Sequence, residues 1–328
     1  MTPSRLCSAI LAAVLLPAAV HAAPAATSYV PGQRWTLDGA GKWDYADVDP
    51  VRARLYLTRG ERVQVLDLKT GKPVGEIGAT AGVHGVAFAQ DLKRGYASNG
   101  RANSVTVFDL DTLKTTAEIK VAGVNPDAIL YEPASHKLYT FNGRSGDVSV
   151  FDAATLKVLA TIKVGGKPEF AVNDGAGRLF FNDEDGAQVG VIDVATDKLA
   201  AQWKLPGCEE PSGLAIDAAK KRLFSVCANG VMAVTDSASG AHVASLPIGG
   251  HPDAAAYDAA SATVFSSNGE GTLSVIRQLD ADRYAPAQEA PTIKGARTMA
   301  LDHASGKVYL PALVDGVFTV LVMQPAGR

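Results

Sequence analysis

Residues 121–152 read VAGVNPDAILYEPASHKLYTFNGRSGDVSVFD. Asp127 opens an apolar strand, DAILY, and a turn, EPASH, leads into a second strand, KLYTFN. The polar corner GRSGD then leads to a third strand ending in VSVFD. The same unit recurs seven times. Its opening position is held by Asp44, His84, Asp127, Glu169, Ser212, Asp253 and Arg297, at spacings of 40 to 44 residues. A second marker, at the end of the second strand, runs Arg59, Asn99, Asn142, Asp183, Cys227, Asn268 and Ala312, again at spacings of 40 to 44. Two markers that keep step over six intervals, with about four short strands per unit of roughly 42 residues, are the signature of propeller blades. The expected fold is all-β: a seven-bladed β-propeller of four-stranded antiparallel blades.

Working outward, residues 33–38 (QRWTLD) read as a strand with no partner before them, while the last repeat, from Arg297 onward, has three strands and lacks a fourth. The N-terminal strand is therefore expected to complete the last blade and close the ring, which removes open sheet edges. Inner strands such as Gly85-Val86-Ala87-Phe88 are almost continuously apolar, as strands packed on both faces must be. The turns between first and second strands repeat one recipe (DPVRAR, EPASHK, DAAKKR, DHASGK) and those between third and fourth another (DLKTGK, DLDTLK, DAATLK). Tight turns need these residue types for their backbone geometry and local hydrogen bonds. On the opposite rim the residues differ from blade to blade, and a variable face on a repeating scaffold is where binding chemistry is mounted.

Residues 1–22 read as a signal peptide, with Arg5 as the basic start, ILAAVLLPAAV (10–20) as the apolar stretch and Val20-His21-Ala22 as the small-residue cleavage pattern. The apolar stretch is interrupted by Pro17 and too short to span a bilayer. The expectation is one propeller domain over residues 23–328, periplasmic or secreted, with no membrane insertion after cleavage. In an oxidising compartment Cys208 and Cys227 read first as a disulfide. Cys208 precedes the first strand of the fifth unit and Cys227 ends its second, so the two face each other across an antiparallel pair. A metal-binding or catalytic cysteine is the rival reading, without a C-x-x-C or a nearby histidine to support it.

The unit resembles the YVTN repeat of seven-bladed propellers, in which Tyr-Val-Thr-Asn ends the second strand and a V-x-V-I-D-x-x-T run forms the third. The corresponding residues are Tyr56-Leu57-Thr58, Tyr96-Ala97-Ser98-Asn99, Tyr139-Thr140-Phe141-Asn142 and Phe265-Ser266-Ser267-Asn268, followed by VFDLDTLK (107–114), VFDAATLK (150–157) and VIDVATDK (191–198). The fifth and seventh copies, FSVC and YLPA, depart most. The likeness spans nearly the whole chain after residue 22 and looks closest to the exported, YncE-like members. It implies the propeller fold and export, and leaves activity open.

The mouth of the central channel is expected to gather Asp44, His84, Asp127, Glu169, Glu210, Asp253 and Arg297, with Arg59, Asn99, Arg101, Asn142, Arg144, Asp183, Glu184, Asn229 and Asn268 behind them. A ring of carboxylate and amide oxygens suits a hard divalent cation, Ca²⁺ or Mg²⁺, able to polarise a lactone or ester carbonyl. The bland reading is a set of polar residues solvated by a water-filled channel. His84 and His251 are candidate proton carriers or ligands, or simply solvated histidines. Arg59, Arg101 and Arg144 fall in the first three units and Asp183, Glu184, Asp185, Glu209 and Glu210 in the fourth and fifth, a polarity that could orient an anionic or dipolar ligand. The net charge of -3, the pI near 6.1 and the absence of a basic run argue against a nucleic-acid partner. No G-x-S-x-G, P-loop, H-E-x-x-H, C-x-x-C-H or dinucleotide glycine pattern is present. The leading expectation is a non-enzymatic binding protein that holds a small molecule, a peptide or an envelope protein at the channel mouth. The alternatives are a metal-assisted lactone or ester hydrolase and a passive assembly scaffold.

Overall fold

A computed structural model describes residues 28–39 and 41–327. The expected signal peptide, residues 1–22, lies outside the described residues. Among those described, every regular element is a strand, and they form seven four-stranded antiparallel sheets. In chain order the blades cover residues 46–77, 83–120, 126–163, 168–204, 211–247, 252–291 and 300–325. The seventh takes its outer strand from Tyr29–Leu37, which pairs with Val317–Pro325, so the ring closes as the sequence indicates.

Alternation within each strand sends side chains to both faces of a blade, and each face packs on the next blade. The apolar core is accordingly divided into seven clusters, one at each blade interface. Phe141 of the third blade meets Phe181 of the fourth, for example, with ring centroids 5.6 Å apart. Because burial is satisfied between blades, nothing apolar is required at the axis, and polar groups can be placed there.

Both repeated turn recipes prove structural. In the turns after the third strands, Asp67, Asp109, Asp152 and Asp193 each accept from the backbone N–H and hydroxyl of the Thr three residues on, at 2.6–2.8 Å. In the first five blades the basic residue that opens the second strand straps the blade to its neighbour. Arg54 donates to the carbonyl of Leu110 at 2.7 Å, Arg94 to Ala154 at 2.6 Å, Lys137 to Val194 at 2.8 Å, Arg178 to Ser237 at 2.7 Å and Arg222 to Ala281 at 2.9 Å.

Cys208 and Cys227 form a disulfide with Cα atoms 5.4 Å apart, inside the range that such a bridge requires. No helix among the described residues is long and apolar enough to cross a membrane.

Candidate functional site

The channel mouth is built by a local irregularity that recurs at the opening residue. In the inner strands of blades two to six the register shifts between Val83 and Val86, Pro126 and Ile129, Pro168 and Ala171, Pro211 and Leu214, and Pro252 and Ala254. His84, Asp127, Glu169, Ser212 and Asp253 lie inside these bulges, which re-aim a side chain out of the regular alternation. Two residues before His84, Asp127, Ser212, Asp253 and Arg297, the residues Gly82, Asn125, Glu210, His251 and Gly295 hold a left-handed backbone that turns the chain into the mouth. His251 has this turn role and is exposed. The opening backbone is also tied to the preceding blade, since Ser98 Oγ donates to the carbonyl of Asp127 at 2.5 Å and Asn182 to that of Ser212 at 3.0 Å.

The result is a cavity of about 340 Å³ whose lining includes Asp44, Asp127, Glu169, Ser212, Asp253 and Arg297, with Glu210 and Glu184 on its wall. His84 stands beside it, its Nδ1 2.5 Å from Asp44 Oδ2 and 3.6 Å from Asp127 Oδ2. The ring of opening residues, drawn from the whole length of the chain, therefore converges on one space.

The second set of candidates does not share that space. Asn99, Asn142 and Asn268 are at most 1% exposed. Each turns back into its own blade and donates to the third strand, Asn99 to Thr106 at 2.8 Å, Asn142 to Asp147 and Ser149 at 2.8 and 2.9 Å, and Asn268 to Thr272 and Ser274 at 2.9 Å. They are hairpin locks, and the ligand-facing role expected of them is corrected to that. Asp183 does the same work in the fourth blade, accepting from Gln188 at 2.7 Å, and in the fifth the disulfide stands at the same place. Arg59 is withdrawn for a related reason. Its guanidinium lies 3.6 Å from the centroid of Phe318 and donates to Gln64 and to the carbonyl of Gly39. Arg101, which pairs with Glu61, and Arg144 are exposed on the rim outside the cavity. Asn229 is spent on the carbonyl of Gly207 at 2.9 Å. With these arginines outside the cavity or committed, the anionic-ligand arrangement loses its basis.

Three functional candidates escaped the sequence reading. Lys167 projects into the cavity between Glu169, at 2.9 Å, and Glu184, which it also contacts. Tyr45 and Phe170, from blades one and four, stack across the channel with centroids 5.4 Å apart and 20° between planes. With Met299 they form a floor, and a second cavity of about 340 Å³ lies beneath it, lined mainly by inner-strand apolar residues together with Asp47 and His303. The available signal was the position following each opening residue, which is Gly, Ala or Thr in five blades and aromatic only at Tyr45 and Phe170.

The electrostatics follow from crowding. Six carboxylates line the mouth cavity (Asp44, Asp127, Glu169, Glu184, Glu210 and Asp253) against two cations, Lys167 and Arg297. Burial lifts Asp253 to about 7, with Arg297 at 3.0 Å opposing and Asp44 and Asp127 reinforcing. Burial also raises Glu169, the charge of Asp127 adds to it, and Lys167 offsets only part. Asp127 is raised in turn, first by burial. For His84 burial works against the charged ring, yet the bond to Asp44 and the charges of Asp127 and Asp44 outweigh it and lift the imidazole to about 9. The mouth carries more negative charge than its own cations compensate.

No protein-family model matches the chain, and no curated protein matches it. Solved structures do. A chain of the Kuenenia stuttgartiensis hydrazine synthase superposes with a TM-score of 0.74 at 18% identity, covering 89% of this chain and 97% of that one. A chain of the mitotic checkpoint complex gives 0.77 at 13% identity, covering 96% and 99%. U3-55K gives 0.76 at 9% identity, covering 88% and 98%. At these identities the likeness is one of fold.

Proposed function

We propose that this chain is an exported, YncE-like propeller that acts as a binding protein, and that its channel mouth takes the cationic group, ammonium or guanidinium, of a small molecule or peptide. One observation carries the reading: a cavity of about 340 Å³ that sets six carboxylates against Lys167 and Arg297 above an aromatic floor. A cation there gains charge-assisted hydrogen bonds from carboxylates otherwise held together at a cost, and the face of Tyr45 or Phe170 offers a cation–π contact. Export is supported by the disulfide Cys208–Cys227 and by the composition of residues 1–22. The YVTN-type assignment is supported by the quoted strand motifs and the sevenfold ring.

Titration calorimetry with agmatine, spermidine and an Arg-Gly-Arg peptide, against citrate and glucose as controls, tests the ligand class. The cations saturate one site. A charge-assisted bond contributes about 1.5–3 kcal/mol, so Glu169→Gln and Asp253→Asn each weaken them by about 10- to 100-fold while the melting temperature does not fall. Binding of citrate alone, or cation binding indifferent to both substitutions, overturns the reading. Lactone or ester hydrolysis remains the alternative, and turnover of a lactone panel that a chelator abolishes is the result that would establish it.

A further inference from the structure

The geometry points to a transition-metal site of the zinc type at one side of the mouth, formed by His84 Nδ1 with one carboxylate oxygen each from Asp44 and Asp127. The three come from consecutive blades, and their ligand atoms all lie within 4.8 Å of one another. Two of the separations are 2.5 Å (His84 to Asp44) and 3.6 Å (His84 to Asp127). Tetrahedral ligands at Zn–N and Zn–O distances of about 2.0–2.2 Å stand roughly 3.3 Å apart, so small rotations of side chains at the cavity edge suffice to seat the ion.

Convergence alone is common among acidic groups. What distinguishes this cluster is how its histidine is held. The side chain of Asn125 lies beside the imidazole, its Oδ1 and the ring Nε2 standing 2.6 and 2.5 Å from the point where a Cβ on Gly100 would be. Nδ1 faces both carboxylates, which leaves Nε2 as the ring nitrogen on the side of Gly100 and Asn125. The Asn125 amide nitrogen meanwhile lies 3.5 Å from Asp127 Oδ2, and the backbone N–H of Asn125 is fixed by Asn103 Oδ1 at 2.9 Å. One residue in a left-handed turn, φ 59°, thus orients two of the three ligands. A histidine whose second nitrogen is anchored so that the first points at acidic oxygens is the arrangement that metal-binding imidazoles require. Gly100 is part of it, because any side chain there would strike the ring and the amide together.

The donor set selects the metal. Ca²⁺ and Mg²⁺ want six or more oxygen ligands and no imidazole, whereas one nitrogen and two carboxylates suit Zn²⁺ and its first-row neighbours. Two carboxylates balance the charge of a divalent ion. Three protein ligands leave a fourth position, and since Asp44 and Asp127 both line the mouth cavity, that position opens into it. The metal site does not rest on the cationic-ligand reading, although Asp44 and Asp127 belong to the carboxylate set that both use.

The test uses the tag-free protein, from residue 23 onward, stripped with chelator and titrated with Zn²⁺ against a competing chelator. One equivalent binds, and Ca²⁺ or Mg²⁺ does not displace it. His84→Gln and Asp127→Asn each weaken zinc by more than about 100-fold, and Asn125→Ala by about 10- to 100-fold, while Glu169→Gln leaves it unchanged. Co²⁺ gives the intense visible bands of a four- or five-coordinate ion on the parent protein. The proposal is overturned if no saturable equivalent binds or if His84→Gln binds zinc as the parent does. Should His84→Gln not fold, the cobalt spectrum decides, and the weak bands of a six-coordinate aquo ion overturn it.

Discussion

The two rims of this propeller use the same residue type to opposite ends. On the rim of the repeated turns, Asp109 is held below the usual carboxylate range, first by the backbone N–H of Thr112 and then by its hydroxyl, and Asp67 by the hydroxyl and N–H of Thr70. At the channel mouth Asp253 is pushed up to about 7 by burial, with Asp44 and Asp127 adding to it against Arg297. The turn aspartates each gather two or three donors on one oxygen, and the same solution is repeated in four blades. The mouth carboxylates are crowded beyond what their own blades compensate, and the opening position varies among Asp, His, Glu, Ser and Arg. Donated bonds mark the scaffold, and crowded, raised carboxyls mark the surface that a partner can complete.

The sharpest way to break this contrast is to attack the parts of the mouth rim that belong to the scaffold. Replacing both Cys208 and Cys227 by Ala opens a loop of 19 residues and costs about 3 kcal/mol, read by urea unfolding, while cation binding in the refolded protein is retained. An equal loss of binding and stability would mean that the lock and the site are one unit. Next in size, Asn142→Ala removes two buried bonds and leaves Asp147 and Ser149 short of a donor. The cost is about 2 kcal/mol, and no effect on stability would return Asn142 to the ligand-facing set.

Smaller effects sharpen the contrast through pH. Asp253 binds its proton more tightly folded than unfolded, so its contribution to stability is complete below about 4 and is lost as pH rises through about 7. Asp253→Asn should therefore flatten the fall in unfolding free energy between those limits; an unchanged slope would show the carboxylate to be ordinary. The turn aspartates have the reverse sign, with stability present above the usual Asp range and lost as pH falls through their lowered values. Asp109→Asn gives the smallest change, a modest loss of stability at pH 7 to 8 that shrinks as pH falls through the lowered value, so the acid transition is shallower.

The period of the chain was enough to read the blades, their number and the closing strand, because two polar markers recur in step with alternating apolar strands. The opening residues could be read as a ring for the same reason, and their bulges carry them to one place. The second marker was misleading. An asparagine at the end of a strand beside the mouth is equally suited to a ligand and to its own hairpin, and only side-chain direction separates Asn142, turned toward Asp147, from Asp127, turned toward the axis. Arg59 shows the same limit: its charge suggests a rim contact, but Phe318, distant in sequence, supplies a face for it. Lys167 and the Tyr45–Phe170 pair lay one or two residues from opening positions and were passed over because their partners belong to other blades or to the far side of the corner.

That stacked pair has a kinetic consequence. With Tyr45, Phe170 and Met299 shared by the chambers above and below, the axis is a cup with a floor and offers an occupant a single doorway. Arrival and departure must then use the same route, so a bulky plug on that rim should slow both rates alike and leave affinity nearly untouched, whereas Tyr45→Ala would open a back exit and hasten escape.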